Sequence, residues 1–139
     1  MTDISVVELA PLSVLLPILG AAIAFTLVRK PVSQVAVTLS TLALTLALEI
    51  WLLIDVWIHG GAEAVLLGGW EAPIGIVLVV DRFSALMLVV SSVVVMLVLL
   101  FSSAQGVGSD ESPQQPVSIF HPTFLILTAG VSNAFLAGD

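Results

Sequence analysis

Cysteine is absent from the 139 residues. Disulfide frameworks and thiolate metal sites are therefore closed to this chain. Its two histidines, His59 and His121, stand far apart with no HxxH or HExxH spacing, so an imidazole metal site lacks its partners. Basic residues are nearly as scarce: three Lys and Arg against ten Asp and Glu, a net charge of −7. Nucleic-acid binding has no basic patch to rest on. No nucleophile–base set, phosphate-cradling loop or metal constellation is visible, so neither enzyme chemistry nor a cofactor is expected. The N-terminus is acidic (Asp3, Glu8) where a cleaved signal peptide carries basic residues, and no such leader is expected.

Charge of either sign is rare, 9% of residues, where soluble domains carry about 25%. Hydrophobic residues make up 59% and the mean hydropathy is +1.22. A water-soluble fold of this size could not hide that much apolar surface, so the composition predicts an all-α integral membrane protein. A membrane-spanning helix needs about 20 mostly apolar residues, and four stretches qualify as candidates: about 9–28, 35–58, 83–101 and 122–137. Pro11 falls in the first turn of the first span, and Pro17 lies inside it, where a kink is expected. Gly20 and Ala24 form a small-xxx-small pair suited to close helix approach. The second span is long enough to tilt or project. The third places Ser84 and Ser91 on one face, and the fourth, opened by His121-Pro122, is short for a full crossing.

Between the second and third spans, residues 64–80 are rich in glycine and β-branched residues. The segments Ala64–Trp70 and Ile74–Val80 flank a turn-like Glu71-Ala72-Pro73, which predicts a short β-hairpin at the membrane surface. Between the third and fourth spans, Gly106–Ser118 reads as a solvated loop. Arg29-Lys30 is the only basic pair. The bias of basic residues to cytoplasmic loops puts that connection inside, and the N-terminus and hairpin outside.

Glu49 lies well inside the second span. An acid at that depth costs on the order of 2.5–3.5 kcal/mol and calls for a partner. Gln34, Thr38, Thr41, Thr45 and Glu49 recur at three- and four-residue steps, one stripe of a helix. That stripe reads either as a seam conducting protons or water, or as interhelical hydrogen-bond glue, or with Glu49 near enough to the surface to reach water. Asp55 reads as an interfacial acid, and Trp51 and Trp57 as aromatic-belt residues. Asn133 reads as a packing hydrogen bond. Asp81-Arg82 opens the third span: the pair either caps the helix N-terminus or belongs to a network shaping an ion or proton route. Asp81, Arg82 and Glu49 are thus the candidates for an ion or proton pathway or a subunit contact.

Two stretches resemble a known family. "GGWEAPIGIVLVVDRFSALMLVVSSVVVMLVLLFS" brings together Gly68-Gly69-Trp70, Pro73, Gly75-Ile76, Asp81 and Ser84 to Met87. "FHPTFLILTAGVSNAFLAGD" contributes Phe120-His121-Pro122, Gly130 and Ala134 to Asp139. Together they resemble the start of the D subunit of Mrp-type multisubunit cation/proton antiporters, in the superfamily of the antiporter-like subunits of respiratory complex I. The Asp-Arg form points to the Mrp protein, since complex I relatives usually carry glycine after that aspartate. The first two spans match by position and character only. The resemblance implies that 1–139 is the N-terminal membrane region of a larger antiporter-like helix bundle in a bacterial cell membrane. It implies partners in other subunits of the complex and in the lipid bilayer, and exchange of Na+ or K+ for H+ driven by the proton-motive force. The family's essential glutamate and lysines lie beyond the matching region, and Glu49 is not at that glutamate's position. Alone, the chain is not expected to transport. A small assembly subunit and a subunit of a redox-driven proton pump are the competing readings.

Overall fold

The structure is a computed structural model that describes residues 9–60, 63–67, 76–105 and 119–137. Four helices and one two-stranded sheet follow in the order α1 (Leu12–Thr26), α2 (Pro31–His59), β1 (Glu63–Leu67), β2 (Ile76–Val80), α3 (Arg82–Ala104) and α4 (Phe120–Leu136). α1 packs against α2 and α4, α2 against α3, and α3 against α4.

Two apolar clusters close the two ends of the bundle. One joins Ala10, Leu52, Val56, Leu78, Val80, Ala85, Leu88 and Leu136. It gathers the start of α1, the end of α2, the hairpin, the start of α3 and the end of α4. The other joins Ala21, Ala24, Leu42, Leu99 and Leu125, from the opposite halves of the same helices. Consecutive helices are therefore antiparallel. Large apolar side chains also point away from the bundle, Leu19, Phe25, Val32, Trp57, Leu97 and Phe101 among them. A water-soluble protein rarely leaves so much contiguous apolar surface open; hydrocarbon is its natural solvent. α2 and α3 are long and apolar enough to cross a membrane.

The hairpin is antiparallel, pairing Glu63 with Val80 and Leu67 with Ile76. Side chains alternate across a strand, which turns Leu78 and Val80 into the apolar cluster. A lone bridge from Leu78 to Ala137 ties the exit of α4 to the hairpin. Gly68-Gly69-Trp70, the Glu71-Ala72-Pro73 turn and the Gly106–Ser118 loop lie outside the described residues.

Helix ends show where apolarity alone misplaces a boundary. α2 begins at Pro31, four residues before the expected 35, because proline is pre-set for a first helical position. It ends at Gly60, whose φ of 70° suits glycine best. In α4 the proline of His121-Pro122 is the third helical residue, still within the first turn, where its missing N–H costs nothing. α1 runs through the buried Pro17 as one helix. The buried serines of α3 are Ser84 and Ser92, while Ser91 is half-buried and donates back to the Leu88 carbonyl at 2.9 Å. In α4, Ser132 faces inward and Asn133 lies on the outer surface of this part of the bundle. One residue on a helix is a turn of about 100°, enough to exchange interior for exterior.

Asp81 is the N-cap of α3. Its carboxylate accepts from the Ser84 backbone N–H at 2.6 Å, and Ser84 Oγ accepts from the Asp81 N–H at 2.9 Å, a reciprocal capping box. These bonds, the Ser84 backbone N–H first, hold the Asp81 carboxyl below the usual carboxylate range. A depressed folded value means that the carboxylate's contribution is present above the ordinary aspartate range and lost as pH falls through the folded value.

Two stability outcomes follow. A Cβ at Gly20 would stand 2.5 Å from both Cγ2 and Oγ1 of Thr41. Gly20→Ala should therefore cost about 1–3 kcal/mol by overpacking, and Thr41→Ala in the same chain should recover part of it, read as thermal stability in detergent. Asp81→Ala should cost about 1 kcal/mol, the usual worth of an N-cap, with the deficit shrinking in strong acid, whereas Asp81→Asn should hold near the parent because its side-chain oxygen still accepts the Ser84 N–H.

Candidate functional site

The buried face of α2 runs through Gln34, Thr38, Thr41, Thr45, Glu49, Leu52 and Val56. It is polar as far as Glu49 and apolar beyond, toward the hairpin end. Each threonine hydroxyl donates back within its own helix: Thr38 to the Gln34 carbonyl at 2.8 Å, Thr41 to Val37 at 2.8 Å and Thr45 to Thr41 at 3.0 Å. Such bonds to the preceding turn satisfy a hydroxyl without a neighbour. The threonines therefore do not act as hydrogen-bond glue between helices. Gln34 does reach across: its Nε2 donates to the Ala24 carbonyl at the end of α1, at 3.1 Å. Close α1–α2 approach at Gly20 makes that reach possible.

Glu49 behaves differently from the rest of the stripe. It is 0% exposed, which removes the reading of a carboxyl near the surface. Ser132 Oγ of α4 donates to Oε1 at 3.5 Å, a long bond, and Oε2 has no hydrogen-bond partner among the described residues. Ser92 of α3 approaches the same carboxyl, yet its hydroxyl forms no hydrogen bond of good geometry. Three helices thus converge on one carboxyl. Ser92 is the eleventh residue of the 23 in α3, so this node lies about 15–18 Å from either helix end at 1.5 Å per residue.

The sequence pattern did not single out these serines, although α4 carried a signal. His121, Leu125, Thr128, Ser132 and Leu136 are all buried and recur at helical steps of three and four. His121 is likewise 0% exposed, with neither ring nitrogen hydrogen-bonded among the described residues. It sits at the bundle end remote from the hairpin, with the Phe120 ring edge-on at 5.3 Å.

Asp81 and Arg82 are not brought to Glu49. Asp81 is engaged as the α3 cap. The Arg82 guanidinium turns instead to α2, 5.5 Å from the centre of the Trp57 ring, a cation–π contact at the helix end where a positive charge is favoured. Asp55 pairs with His59 one turn on, Nδ1 to Oδ1 at 3.1 Å, with His59 exposed. Trp51 and Trp57 are both exposed on the bundle surface. Among the described residues no three His, Asp or Glu side chains gather as metal ligands.

No protein-family model matches the chain. Individual relatives do. The D subunit of the Na(+)/H(+) antiporter of Alkalihalophilus pseudofirmus is 39% identical over 94 residues, which cover 68% of this chain and 18% of that protein. The D subunit of the Na(+)/H(+) antiporter of Bacillus subtilis is 30% identical over 128 residues, 92% of this chain and 25% of that protein. A Rhizobium meliloti protein named as the D subunit of a probable K(+)/H(+) antiporter is 40% identical over 79 residues, 57% of this chain and 13% of that protein. The chain spans about a quarter or less of the length of these curated relatives. Identities of 30–40% to these proteins, over as much as 92% of its length, make the chain a member of the D subunit family of cation/proton antiporters.

Proposed function

We propose that this chain is the N-terminal membrane region of a subunit in a multisubunit monovalent cation/proton antiporter, which exchanges Na+ or K+ for H+ using the proton-motive force. The observation that carries the reading is similarity along 92% of the chain to the D subunit of a Na(+)/H(+) antiporter. The relatives' names include both Na(+)/H(+) and K(+)/H(+), so the cation stays open between these two. In this reading the other subunits of the complex and the bilayer are the partners, and transport belongs to the assembled complex.

The four helices are taken as four antiparallel crossings. α2, 29 residues long, spans about 43 Å, more than the roughly 30 Å hydrocarbon layer, and so tilts or projects. α1 and α4, with 15 and 17 residues, span only about 22–26 Å. Arg29-Lys30 assigns the α1–α2 connection to the cytoplasm, which puts the hairpin outside. Arg82 and the exposed Trp57 then stand at the outer interface, where a neighbouring subunit or lipid headgroups meet them. A role in assembly also has support: Asp81 caps a helix rather than meeting Glu49, and Gln34 links α2 to α1.

Everted vesicles holding the complete complex decide the function. Na+ or K+ should discharge an imposed pH gradient, and a complex lacking this chain should not respond. Proton pumping that depends on a redox donor and ignores both cations would contradict the antiporter reading. Because the chain has no cysteine, single cysteines report its topology. Ala64→Cys on β1 should react with an impermeant maleimide on intact cells, and Gln105→Cys, at the far end of α3, only after permeabilisation.

A further inference from the structure

We propose that Glu49 is a proton-binding site inside the membrane: its carboxylate takes one proton on Oε2, forming an O–H bond, and returns it to the aqueous phase, in the pocket made by α2, α3 and α4. This inference rests on the antiporter reading and deepens it, because it adds an interior proton site on a helix outside the family's matching motifs.

The case starts from what a packing role needs. A side chain that only links α2 to α4 has to accept one hydrogen bond from Ser132. A glutamine does that without placing an ionisable group in hydrocarbon, where an acid is costly and as a rule functional. Structural acids in such places are paired, yet among the described residues no cation faces the carboxyl. α1 carries no ionisable residue. The ionisable residue of α3 is Arg82, at the hairpin end over Trp57, and that of α4 is His121, at the opposite end. On α2 itself the nearest titratable groups are Asp55 and His59, which pair with each other.

The second argument is the contrast along one helix face. The three stripe threonines are each satisfied at 2.8–3.0 Å. Glu49 has a single bond at 3.5 Å and an oxygen with none, beside a Ser92 hydroxyl that also lacks a partner among the described residues. Native interiors rarely leave buried polar atoms unmatched, and the exceptions call for an explanation. A proton is the ligand that fits: it needs no cavity and no cage of oxygen donors, and it can ride on the carboxyl oxygen that has no partner among the described residues. A bare Na+ or K+ would need several oxygens at once, and among the described residues this node offers one carboxyl and two hydroxyls.

The test uses the complete complex with Glu49→Gln and Glu49→Asp, assayed in everted vesicles across a range of pH. Glu49→Gln should assemble normally and lose antiport by roughly 10²-fold, the scale of a lost proton-transfer group; Glu49→Asp should keep part of the rate with a displaced pH profile. A parent-like rate and pH profile in Glu49→Gln overturns the proton site while leaving the antiporter reading intact. If the parent complex itself shows no cation-dependent proton movement, it is the antiporter reading that falls. Should Glu49→Gln fail to assemble, the parent complex is treated with dicyclohexylcarbodiimide, an apolar reagent that adds to protonated carboxyls, and its peptides are weighed. Labelling of Glu49 that fades at alkaline pH supports the site. Absence of label at every pH, or a label blocked by Na+ or K+ at constant pH, overturns it.

Discussion

Hydrocarbon offers no hydrogen bonds, so every polar group that enters it has to be matched from within the protein. That constraint orders this bundle. Two apolar clusters close its ends, and the buried polar side chains sit mostly on the inward faces of α2, α3 and α4. The stripe threonines answer the constraint by bonding to the preceding turn of their own helix. Gln34 answers it by reaching the last turn of α1, which requires the close approach of Gly20 to Thr41. Asp81 and Ser84 answer it at the mouth of α3, where the first backbone N–H groups of a helix lack partners. At Glu49, midway along the bundle, one buried carboxylate oxygen goes unmatched among the described residues, and for that reason chemistry is assigned to it.

The hairpin belongs to the same logic. Its inward residues, Leu78 and Val80, complete the apolar cluster that seals one end of the bundle, and the bridge from Leu78 to Ala137 fastens α4 to it. Asp81 follows Val80 directly, so the turn from strand into α3 is set by a cluster on one side and a capping box on the other. An acid–base pair at the mouth of an apolar helix thus separates into two jobs: Asp81 starts the helix, and Arg82 crosses to the end of α2, where it covers Trp57.

Much of this is legible in the sequence because period and composition are local properties. Four apolar stretches, a hairpin between the second and third, and the stripe from Gln34 to Glu49 all follow from spacing. The capping role of Asp81 is one of two open readings of the sequence, and the structure supplies it in detail. What spacing cannot supply is the identity of facing partners. Ser92 and Ser132 meet Glu49 only because three helices pack at particular rotations, and a one-residue error in rotation puts Ser91 and Asn133 in their place. The threonines look able to bridge helices; their back-bonds depend on local helix geometry that a residue type leaves undecided. Apolarity sets the start of α2 too late, where Pro31 marks it correctly.

The account turns on a carboxyl that titrates within the bundle. Infrared difference spectroscopy of the complete complex, recorded between acid and alkaline pH, observes it directly through the carbonyl stretch of a buried carboxylic acid. The account predicts such a band in the parent, lost with rising pH and missing from Glu49→Gln. A difference spectrum identical in parent and Glu49→Gln would contradict it, and Glu49 would then be a packing residue like the threonines beside it.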